Sequence, residues 1–416
     1  MEDLKKQNLE DVAMLSDINN KFKLLKKIIN EKEFKFIVNE PVNNLAINFL
    51  DEFSKELKKL KIIYKYPDLV YLIFWCRKQK IEKLKKSLHT NENRLGRGLI
   101  FHICPSNIPT NFIYSFFFGL LSGNSNIIKM PTQGSEQKKI ILRVLATLFK
   151  KRKFIDIKKS NHFIEYDYLN DNKFTKEISS ICDGRVVWGS DKTINEIRKI
   201  WSPERSIDIM FSDRYSLSVI NLDKIKKLKK NEIKMLANKF YYDSYSMNQQ
   251  GCNSPHFLFW VGLKNKKIQN EFWQSLNEII EKKYNFKEVQ IVDKYTKLIE
   301  NILERNDIKK IQKKKNNIYI LDYNDKEKVI ENIRGVNGIF YQLNLKNLNK
   351  LSKYVSKKCQ TMSYFGFQEN QLKKFVLNNN LSGIDRIVPI GNALDIDFIW
   401  DGYDLIKTLS RTVSIK

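Results

Sequence analysis

A single cysteine in a polar turn is the clearest chemical feature of this sequence of 416 residues. Cys252 lies in the segment Gln-Gln-Gly-Cys-Asn-Ser-Pro at 249–255, between a helical pattern and the apolar run 257–261. A thiolate acts as a nucleophile when it is partly exposed and when nearby N–H groups or a helix N-terminus lower its pKa. The segment therefore favours a reactive thiol, and the alternative is that Cys252 is an ordinary buried cysteine.

Two further polar residues follow predicted strands. The pattern predicts a strand over Leu99–Ile103 that runs into the loop Pro-Ser-Asn-Ile-Pro at 105–109, then a helix, and then a second strand ending near Lys129. Such a βαβ unit binds its ligands beyond the carboxyl ends of its strands. Asn107 and Lys129 lie at such ends and could contact a ligand. Alternatively, Asn107 caps the helix and Lys129 is solvated.

The rest of the chain alternates helix and strand. Residues 10–90 are predicted to be helical from the spacing of their apolar residues. Gly189 and Ser190 lie between a strand and a helix, where backbone N–H groups could hold a phosphate. The length suits two domains with a helical appendage. The further predicted elements are a helix over 136–150 and strands near 162–166, 184–188 and 215–220.

Composition argues against several classes of protein. The net charge of +27 raises the question of nucleic-acid binding, but most of the basic residues are lysines spread along the chain, whereas base and phosphate readout favour arginine. The apolar stretch 108–130 is interrupted by polar residues and predicts a buried helix instead of a membrane span. Five cysteines and four scattered histidines predict a reducing, cytoplasmic location and no metal site. No secretory signal is recognisable at the start.

Several motifs resemble the aldehyde dehydrogenase superfamily. There, an Asn in a Pro-x-Asn-x-Pro loop and a Lys after the next strand flank the active site and the cofactor ribose, as Asn107 and Lys129 would here. The Trp-Gly-Ser of 188–190 resembles that superfamily's turn under the pyrophosphate. Four segments resemble one branch in particular, the LuxC-type acyl-CoA reductases: 249–255, 359–361, 383–391 and 400–402.

The resemblance implies an α/β, aldehyde-dehydrogenase-like fold. It consists of a nucleotide-binding domain, an α/β catalytic domain and an N-terminal helical region. The implied divisions are a helical region at 1–90, a cofactor-binding domain at 91–221, a catalytic domain at 222–390 and a segment at 391–416 that packs back near the cleft.

The resemblance also implies an activity, the NADPH-dependent reduction of an acyl-CoA or another acyl thioester to the aldehyde. Cys252 would form the acyl-enzyme, and the Asn107 amide and the Cys252 backbone N–H would hold the oxyanion. A homo-oligomer and a partner protein that transfers acyl groups are expected. The residues implied in binding NADPH are Lys129, Thr132, Gly189 and Ser190.

The sequence departs from the wider superfamily at two places. Hydrolytic members keep a Glu base before the catalytic Cys, and the nearest residue here is Met210, with Asp208 or Asp213 as replacements if the register shifts. Loss of the base suits an acyl intermediate that must meet hydride and not water. Members that prefer NAD often carry a Glu three residues after the Lys, where this chain has Thr132, so a 2′-phosphate is tolerated.

Two alternatives remain open at this stage. One is a non-reducing acyltransferase or acyl carrier that uses Cys252 without a nicotinamide. It would have no need of Lys129, Gly189 or Ser190. The other is a basic nucleic-acid-binding protein, which would make no use of the Cys252 segment. The positive field could also help to attract an anionic substrate.

Overall fold

The chain folds into two compact α/β units. The computed structural model describes residues 36–87, 93–106, 108–167, 172–304, 307–324 and 330–415. The first unit contains the described residues up to 212 together with 396–415, and the second contains those from 213 to 395. Each unit is built on a largely parallel sheet with helices on its faces, so the predicted α/β class is confirmed.

The first unit is organised around a five-stranded parallel sheet of spatial order β4-β3-β2-β5-β6. All five residues of its central strand β2 are buried, as is typical of a parallel strand covered on both faces. The predicted strands at Leu99–Ile103 and up to Lys129 are confirmed. Up to the end of the sheet, the elements are α1 (Asn44–Lys58), α2 (Pro67–Trp75), α3 (Lys78–Ser87), β1 (Arg94–Gly96), β2 (Leu99–Ile103), α4 (Asn111–Leu121), β3 (Ser125–Lys129), α5 (Glu136–Phe149), α6 (Ile155–Ser160), β4 (Asn161–Ile164), α7 (Lys173–Ser179), β5 (Gly184–Trp188), α8 (Asp191–Arg198) and β6 (Ile207–Phe211).

Helices pack on the first sheet through an aromatic core. Every residue of α4 is buried, which confirms the buried helix predicted within 108–130. Phe49 of α1 stacks on Phe149 of α5 and meets Phe116 of α4 edge-on. The described part of the predicted N-terminal helical region, from 44 to 87, consists of three helices and a short 3₁₀ turn. Within the described ranges, no helix is long and apolar enough to cross a membrane.

The second unit contains a seven-stranded sheet of order β13-β12-β7-β8-β11-β10-β9. All neighbours are parallel except β9, which pairs antiparallel with β10 at the edge. Apolar clusters cover both faces of this sheet. The elements are β7 (Tyr215–Asn221), α9 (Leu222–Ile225), α10 (Lys230–Tyr245), β8 (Pro255–Val261), α11 (Lys266–Lys283), α12 (Glu288–Glu304), β9 (Ile308–Lys314), β10 (Ile318–Tyr323), β11 (Ile339–Leu345), β12 (Cys359–Phe365), α13 (Glu369–Asn378) and β13 (Arg386–Pro389).

The units divide at other positions than the domains expected from the sequence. Strand β7 was expected to close the cofactor domain, but it is hydrogen-bonded between β8 and β12 in the second sheet. The first unit therefore ends at Ser212 and not at 221. Because a strand's apolar pattern does not state which sheet it joins, pairing partners decide the boundary.

The C-terminal segment completes the first unit. It contains β14 (Ile399–Trp400), β15 (Tyr403–Asp404), α14 (Leu405–Thr408) and β16 (Ser410–Thr412). Strand β16 pairs antiparallel with β1, and the Asn124 side chain donates to the Leu409 carbonyl at 2.8 Å. Its large apolar side chains join the aromatic core of the first unit: Phe398, Trp400, Leu405, Ile406 and Leu409.

Candidate active site

Cys252 lies in a tight turn at the amino end of β8. The chain leaves α10 at Tyr245 and reverses through Asn248 and Gln249, whose φ angles of 55° and 61° are left-handed. Such angles are uncommon for residues other than glycine and are tolerated where surrounding contacts fix them. β8 then begins at Pro255, directly after the turn. The turn places Cys252 at the amino edge of the parallel strands β7, β8 and β12.

The buried Gln249 side chain fixes this turn to the sheet. Its amide nitrogen donates to the carbonyls of Pro255 and Ile339 at 3.1 and 3.0 Å, and its amide oxygen accepts from the Gly338 N–H at 3.0 Å. Three hydrogen bonds on one buried amide offset the cost of burying it and of holding the left-handed backbone. Gln249 therefore has a structural role in a segment that the sequence singles out for its cysteine.

Ser216 of β7 holds the turn from the other side. Its hydroxyl donates to the Cys252 carbonyl at 2.6 Å and accepts from the Thr361 N–H at 3.1 Å. Beside Ser216, the register of β7 shifts by a residue against both β8 and β12. Irregularities of this kind are frequent next to active sites, where they redirect side chains. Sequence reasoning missed Ser216, because nothing in the pattern of β7 shows that its hydroxyl meets Cys252.

Exposure distinguishes Cys252 from the other cysteines. Cys252 is partly exposed, whereas the other four are buried. Burial raises the pKa of the Cys104 and Cys359 thiols to about 12 and that of the Cys182 thiol to about 11, and it raises the pKa of Cys76 as well. Those four thiols therefore stay protonated and inert at neutral pH. The structure thus favours the reactive alternative for Cys252 over the buried one.

The two carboxylates that could replace the missing Glu base, and Met210 at its expected position, all have other contacts. Arg185 holds Asp208 through two hydrogen bonds of 2.7 Å. Asp213 in the second unit pairs with Arg334 at 3.0 Å. Met210 is buried within an apolar cluster on one face of the first sheet. Both carboxylates are thus engaged in ion pairs with arginines.

Lys129 lies at the carboxyl end of β3, as the sequence predicts. It is buried, with its Nζ 5.9 Å from the centroid of the Tyr166 ring. Burial lowers the pKa of Lys129, while the nearby Cys104, Asp167 and Glu165 act in the opposite direction. The solvated alternative for Lys129 is therefore wrong, because the side chain is only 8% exposed. Thr132, three residues on, is exposed.

An ion pair beside Lys129 was missed by the sequence reasoning. The buried Lys138 of α5 pairs with Glu165, which follows the carboxyl end of β4, and also donates to the Pro131 carbonyl at 2.6 Å. This pair brings a carboxylate to the same edge of the sheet as Thr132. It could have been suspected only from the adjacency of β3 and β4, which the sequence does not state.

The Gly189-Ser190 turn joins β5 to α8. The Gly189 N–H donates to the Phe211 carbonyl at 3.1 Å, so this amide is occupied within the sheet. Ser190 is the N-cap of α8, and its hydroxyl accepts from the Thr193 N–H at 3.3 Å. An anion at this turn would therefore meet the helix N-terminus beside Ser190 and not the Gly189 amide.

A chain of buried polar groups runs from the amino ends of β3 and β4 to the carboxyl end of β5. The His102 ring bonds the Ser115 hydroxyl at 2.8 Å and the Asn126 side chain at 2.9 Å, and Asn126 donates to Asn161 at 2.6 Å. Ser115 also accepts from the Trp188 indole at 3.0 Å. Burial lowers the pKa of His102 to about 4, so the ring is neutral and structural. The chain fixes Trp188 directly before the Gly189-Ser190 turn.

The predicted oxyanion residue Asn107 lies outside the described residues. Its role stays a prediction. In the part of the chain that the structure describes, no group of three His, Cys, Asp or Glu side chains could hold a metal ion.

Comparisons with known proteins match this chain to one family model and to a curated relative. The family model described as acyl-CoA reductase (LuxC) matches residues 77–412. A curated relative, the long-chain acyl-protein thioester reductase of Vibrio harveyi, is 22% identical over 331 residues, which is 76% of this chain and 63% of the relative. This chain thus spans less than two thirds of that relative's length.

Solved structures of an oxidoreductase and of aldehyde dehydrogenases share the fold. An oxidoreductase from Marinobacter aquaeolei superposes with a TM-score of 0.63 at 10% identity, covering 94% of this chain and 90% of its own. An NAD-dependent benzaldehyde dehydrogenase from Corynebacterium glutamicum gives a TM-score of 0.60 at 12% identity, covering 90% and 86%. The predicted aldehyde-dehydrogenase-like fold is confirmed.

Proposed function

This chain belongs to the acyl-CoA reductase (LuxC) family, and from that premise we propose that it reduces an acyl-CoA or another acyl thioester to the aldehyde with NADPH through an acyl-Cys252 intermediate. The observation that carries the proposal is the turn around Cys252, which keeps one thiol partly exposed while four others are buried. Gln249 and Ser216 hold that turn in place. A fixed, accessible thiol suits covalent catalysis.

Acyl transfer is the first step. The Cys252 thiolate adds to the thioester carbonyl carbon, and the tetrahedral adduct expels the substrate's thiolate, which leaves as a thiol after taking a proton. The acyl group is then held on Cys252 as a new thioester. Because the thiolate is both nucleophile and later leaving group, the same side chain can accept and release the product.

Reduction completes the cycle. The nicotinamide cofactor supplies a hydride to the acyl carbon when it is bound. Cys252 then holds the reduced carbon as a thiohemiacetal, and its sulfur leaves as thiolate when the carbonyl re-forms and aldehyde departs. Each tetrahedral stage carries an oxyanion, which the backbone N–H of Cys252 and the Asn107 amide would stabilise. One such donor is commonly worth about 3–4 kcal/mol.

Residues of the first unit fit a phosphate-bearing cofactor. The buried Lys129 brings a cation to the carboxyl edge of the sheet, and α8 presents its N-terminus beside Ser190 at the same edge. Ligands of doubly wound sheets bind at this edge. Thr132 offers no carboxylate to repel a 2′-phosphate, which supports NADPH over NADH.

The acyl donor has two candidate forms. The Vibrio harveyi relative is named for acyl groups held as protein thioesters. We therefore propose that this chain accepts acyl groups either from acyl-CoA or from a partner protein that carries them. Both donors present the same thioester carbonyl to Cys252.

The deciding experiment follows NADPH oxidation against acyl-CoAs of graded chain length, with Cys252→Ala as control. The expected result is aldehyde formation matched to NADPH consumed, with none from the variant. If acyl groups move from Cys252 to another acceptor and no NADPH is consumed, the chain is an acyltransferase and the proposal is wrong.

A further inference from the structure

A short loop after β13 folds back on its own strand. Residues 391–395, here called the clamp loop, follow Pro389 and Ile390. Arg386 closes the loop by donating to the Ala393 and Asn392 carbonyls at 2.8 and 3.0 Å and to the Asp395 carbonyl. Gly391 has a φ of 104°, a left-handed value that favours glycine. The loop is thus a closed, locally fixed element.

Two side chains on either side of Cys252 bind this loop. Asp243 on α10 precedes Cys252, and its two carboxylate oxygens accept the N–H groups of Gly391 and Ala393 at 2.7 and 2.9 Å. Asn253 directly follows Cys252 and donates its side-chain amide to the Ala393 carbonyl at 2.7 Å. Both side chains are buried. None of these three hydrogen bonds belongs to the backbone pattern of a helix or sheet, so each is a specific side-chain contact.

Gly251 leaves room for the second contact. A Cβ at this position would lie 2.7 Å from the Asn253 side-chain oxygen, closer than real Cβ atoms approach. The glycine directly before Cys252 therefore lets the Asn253 side chain take its bonded orientation. In the sequence Gly-Cys-Asn at 251–253, the glycine thus leaves room for the Asn253 side chain, and Asn253 binds the loop that lies beside the candidate nucleophile.

We propose that Asp243 and Asn253 are positioning residues that fasten the Cys252 turn to the clamp loop and so hold the nucleophile in one orientation for acyl transfer. The inference rests on the proposed function, because positioning matters only if Cys252 attacks a substrate. Both side chains act through their hydrogen bonds to the clamp loop. A small displacement of an attacking group can cost about 10²-fold in rate.

The charge of Asp243 makes the contact dependent on pH. A carboxylate accepts both N–H groups, whereas a neutral carboxyl turns one O–H toward a donor and loses a bond. Burial raises the pKa of Asp243 to about 7. The hydrogen bonds from Gly391 and Ala393 and the charge of Arg386 lower this pKa, whereas the charge of Asp395 raises it. Lys239 of α10 also borders Gly391. The hydrogen bonds between Asp243 and the clamp loop are therefore both formed above pH 7 and weaken below it.

Three variants test the proposal. Asp243→Asn mimics the neutral carboxyl at every pH, and Asn253→Ala removes the second bond alone. Ser244→Ala is the matched control, since the Ser244 hydroxyl, also buried on α10, donates to the Phe240 carbonyl at 2.6 Å and does not reach the clamp loop. The expected result is a fall in kcat of about 10–100-fold for the first two, with unchanged KM values. Ser244→Ala should keep the wild-type kcat, although its loss of thermal stability should be similar to that of the other two variants.

A second readout does not need the reductase activity. Alkylation of Cys252 by iodoacetamide, followed by intact mass from pH 5.5 to 9, should depend on two ionisations in the wild type, one near pH 7. In Asp243→Asn, the ionisation near pH 7 should be absent from the alkylation profile. The proposal would be overturned if Asp243→Asn and Asn253→Ala both kept the wild-type kcat, or if Ser244→Ala lost as much kcat as they do. It would also be overturned if the wild type and Asp243→Asn showed the same pH profile of alkylation. If the wild type reduces no acyl thioester, the proposed function fails, and the alkylation profile still decides the fastening.

Discussion

A thiol must reach water to react at neutral pH, and this condition selects Cys252 among the five cysteines. We predict that Cys252→Ala lowers acyl reduction by more than about 10³-fold, because no other group replaces a lost nucleophile. Cys182→Ala is the control, since the Cys182 thiol is buried and burial raises its pKa to about 11. NADPH oxidation with a long-chain acyl-CoA measures both. Comparable activity in Cys252→Ala would exclude the covalent route.

We predict that the exposed Thr132 decides the cofactor preference. NADPH should be preferred, and Thr132→Glu should shift the preference toward NADH by about tenfold or more, because each 1.4 kcal/mol of repulsion changes affinity tenfold. Gln133→Glu adds the same charge at the next exposed position and should shift the preference less. The ratio of kcat/KM for the two cofactors measures the effect. An unchanged ratio in Thr132→Glu would transfer the role to the Lys138–Glu165 pair.

The fate of the proposed acyl-enzyme depends on whether a base lies close to Cys252. Acyl-CoA alone should release one burst of free CoA for each active site and then proceed slowly, because general-base help to water is worth about 10²–10⁴-fold. Asp208→Asn should leave the slow phase unchanged, since Arg185 holds that carboxylate. Met210→Glu should destabilise the first unit by burying a charge among apolar side chains. Fast steady hydrolysis by the wild type would mean that another base acts.

At the scale of elements, the sequence predicted those helices and strands whose burial is evident from their own residues. The apolar run of β2 and the fully buried α4 were predictable, because an element that is buried on every side consists mostly of apolar residues. The contact between Asp243 and Gly391 was not, because it joins residues 148 positions apart. The register shifts beside Ser216 were equally hidden, since they arise from pairing three strands and not from any one strand.

Helix α12 carries a buried charge with a measurable consequence. Lys294 is 1% exposed and donates to the carbonyls of Asn316 and Asn317 at 2.8 and 2.6 Å. Burial lowers the pKa of Lys294 from 10.5 to about 7. Above pH 7 the folded state therefore loses a proton that the unfolded state keeps until about pH 10.5. Stability contributed by this residue consequently rises with pH across that interval.

We predict that the free energy of unfolding of the wild type, measured in urea, rises between pH 7 and pH 10. In Lys294→Met this rise should be smaller by a few kcal/mol. Lys297→Met is the control on the same helix, because the Lys297 side chain is 35% exposed and pairs with Glu300 at the surface. Its pH dependence should match the wild type. Equal slopes for all three proteins would mean that Lys294 is charged in the folded state.

For the whole molecule, the sequence predicted a nucleotide-binding domain followed by an α/β catalytic domain, but the predicted division after residue 221 differs from the division of the two units after Ser212. Strand β7 joins the second unit through its neighbours, and the C-terminal segment joins the first. Both assignments depend on contacts between distant parts of the chain. The expected family and fold came from short motifs, and the matches to the acyl-CoA reductase (LuxC) family and to aldehyde dehydrogenase structures confirm them.

The return of the C-terminal segment to the first unit leads to a test on the whole chain. Deleting residues 396–416 removes five large apolar side chains from the aromatic core, each worth about 1.5–3 kcal/mol when buried. It also removes the acceptors of Arg97 and Asn124, which lie 2.6 and 2.8 Å away at Thr408 and Leu409. We expect amides of β2 and α4 to lose hydrogen-exchange protection, while those of β7 and β8 keep it. Deleting only 414–416 spares β16 and should change neither set. Equal loss in both sets would mean that the two units do not unfold separately.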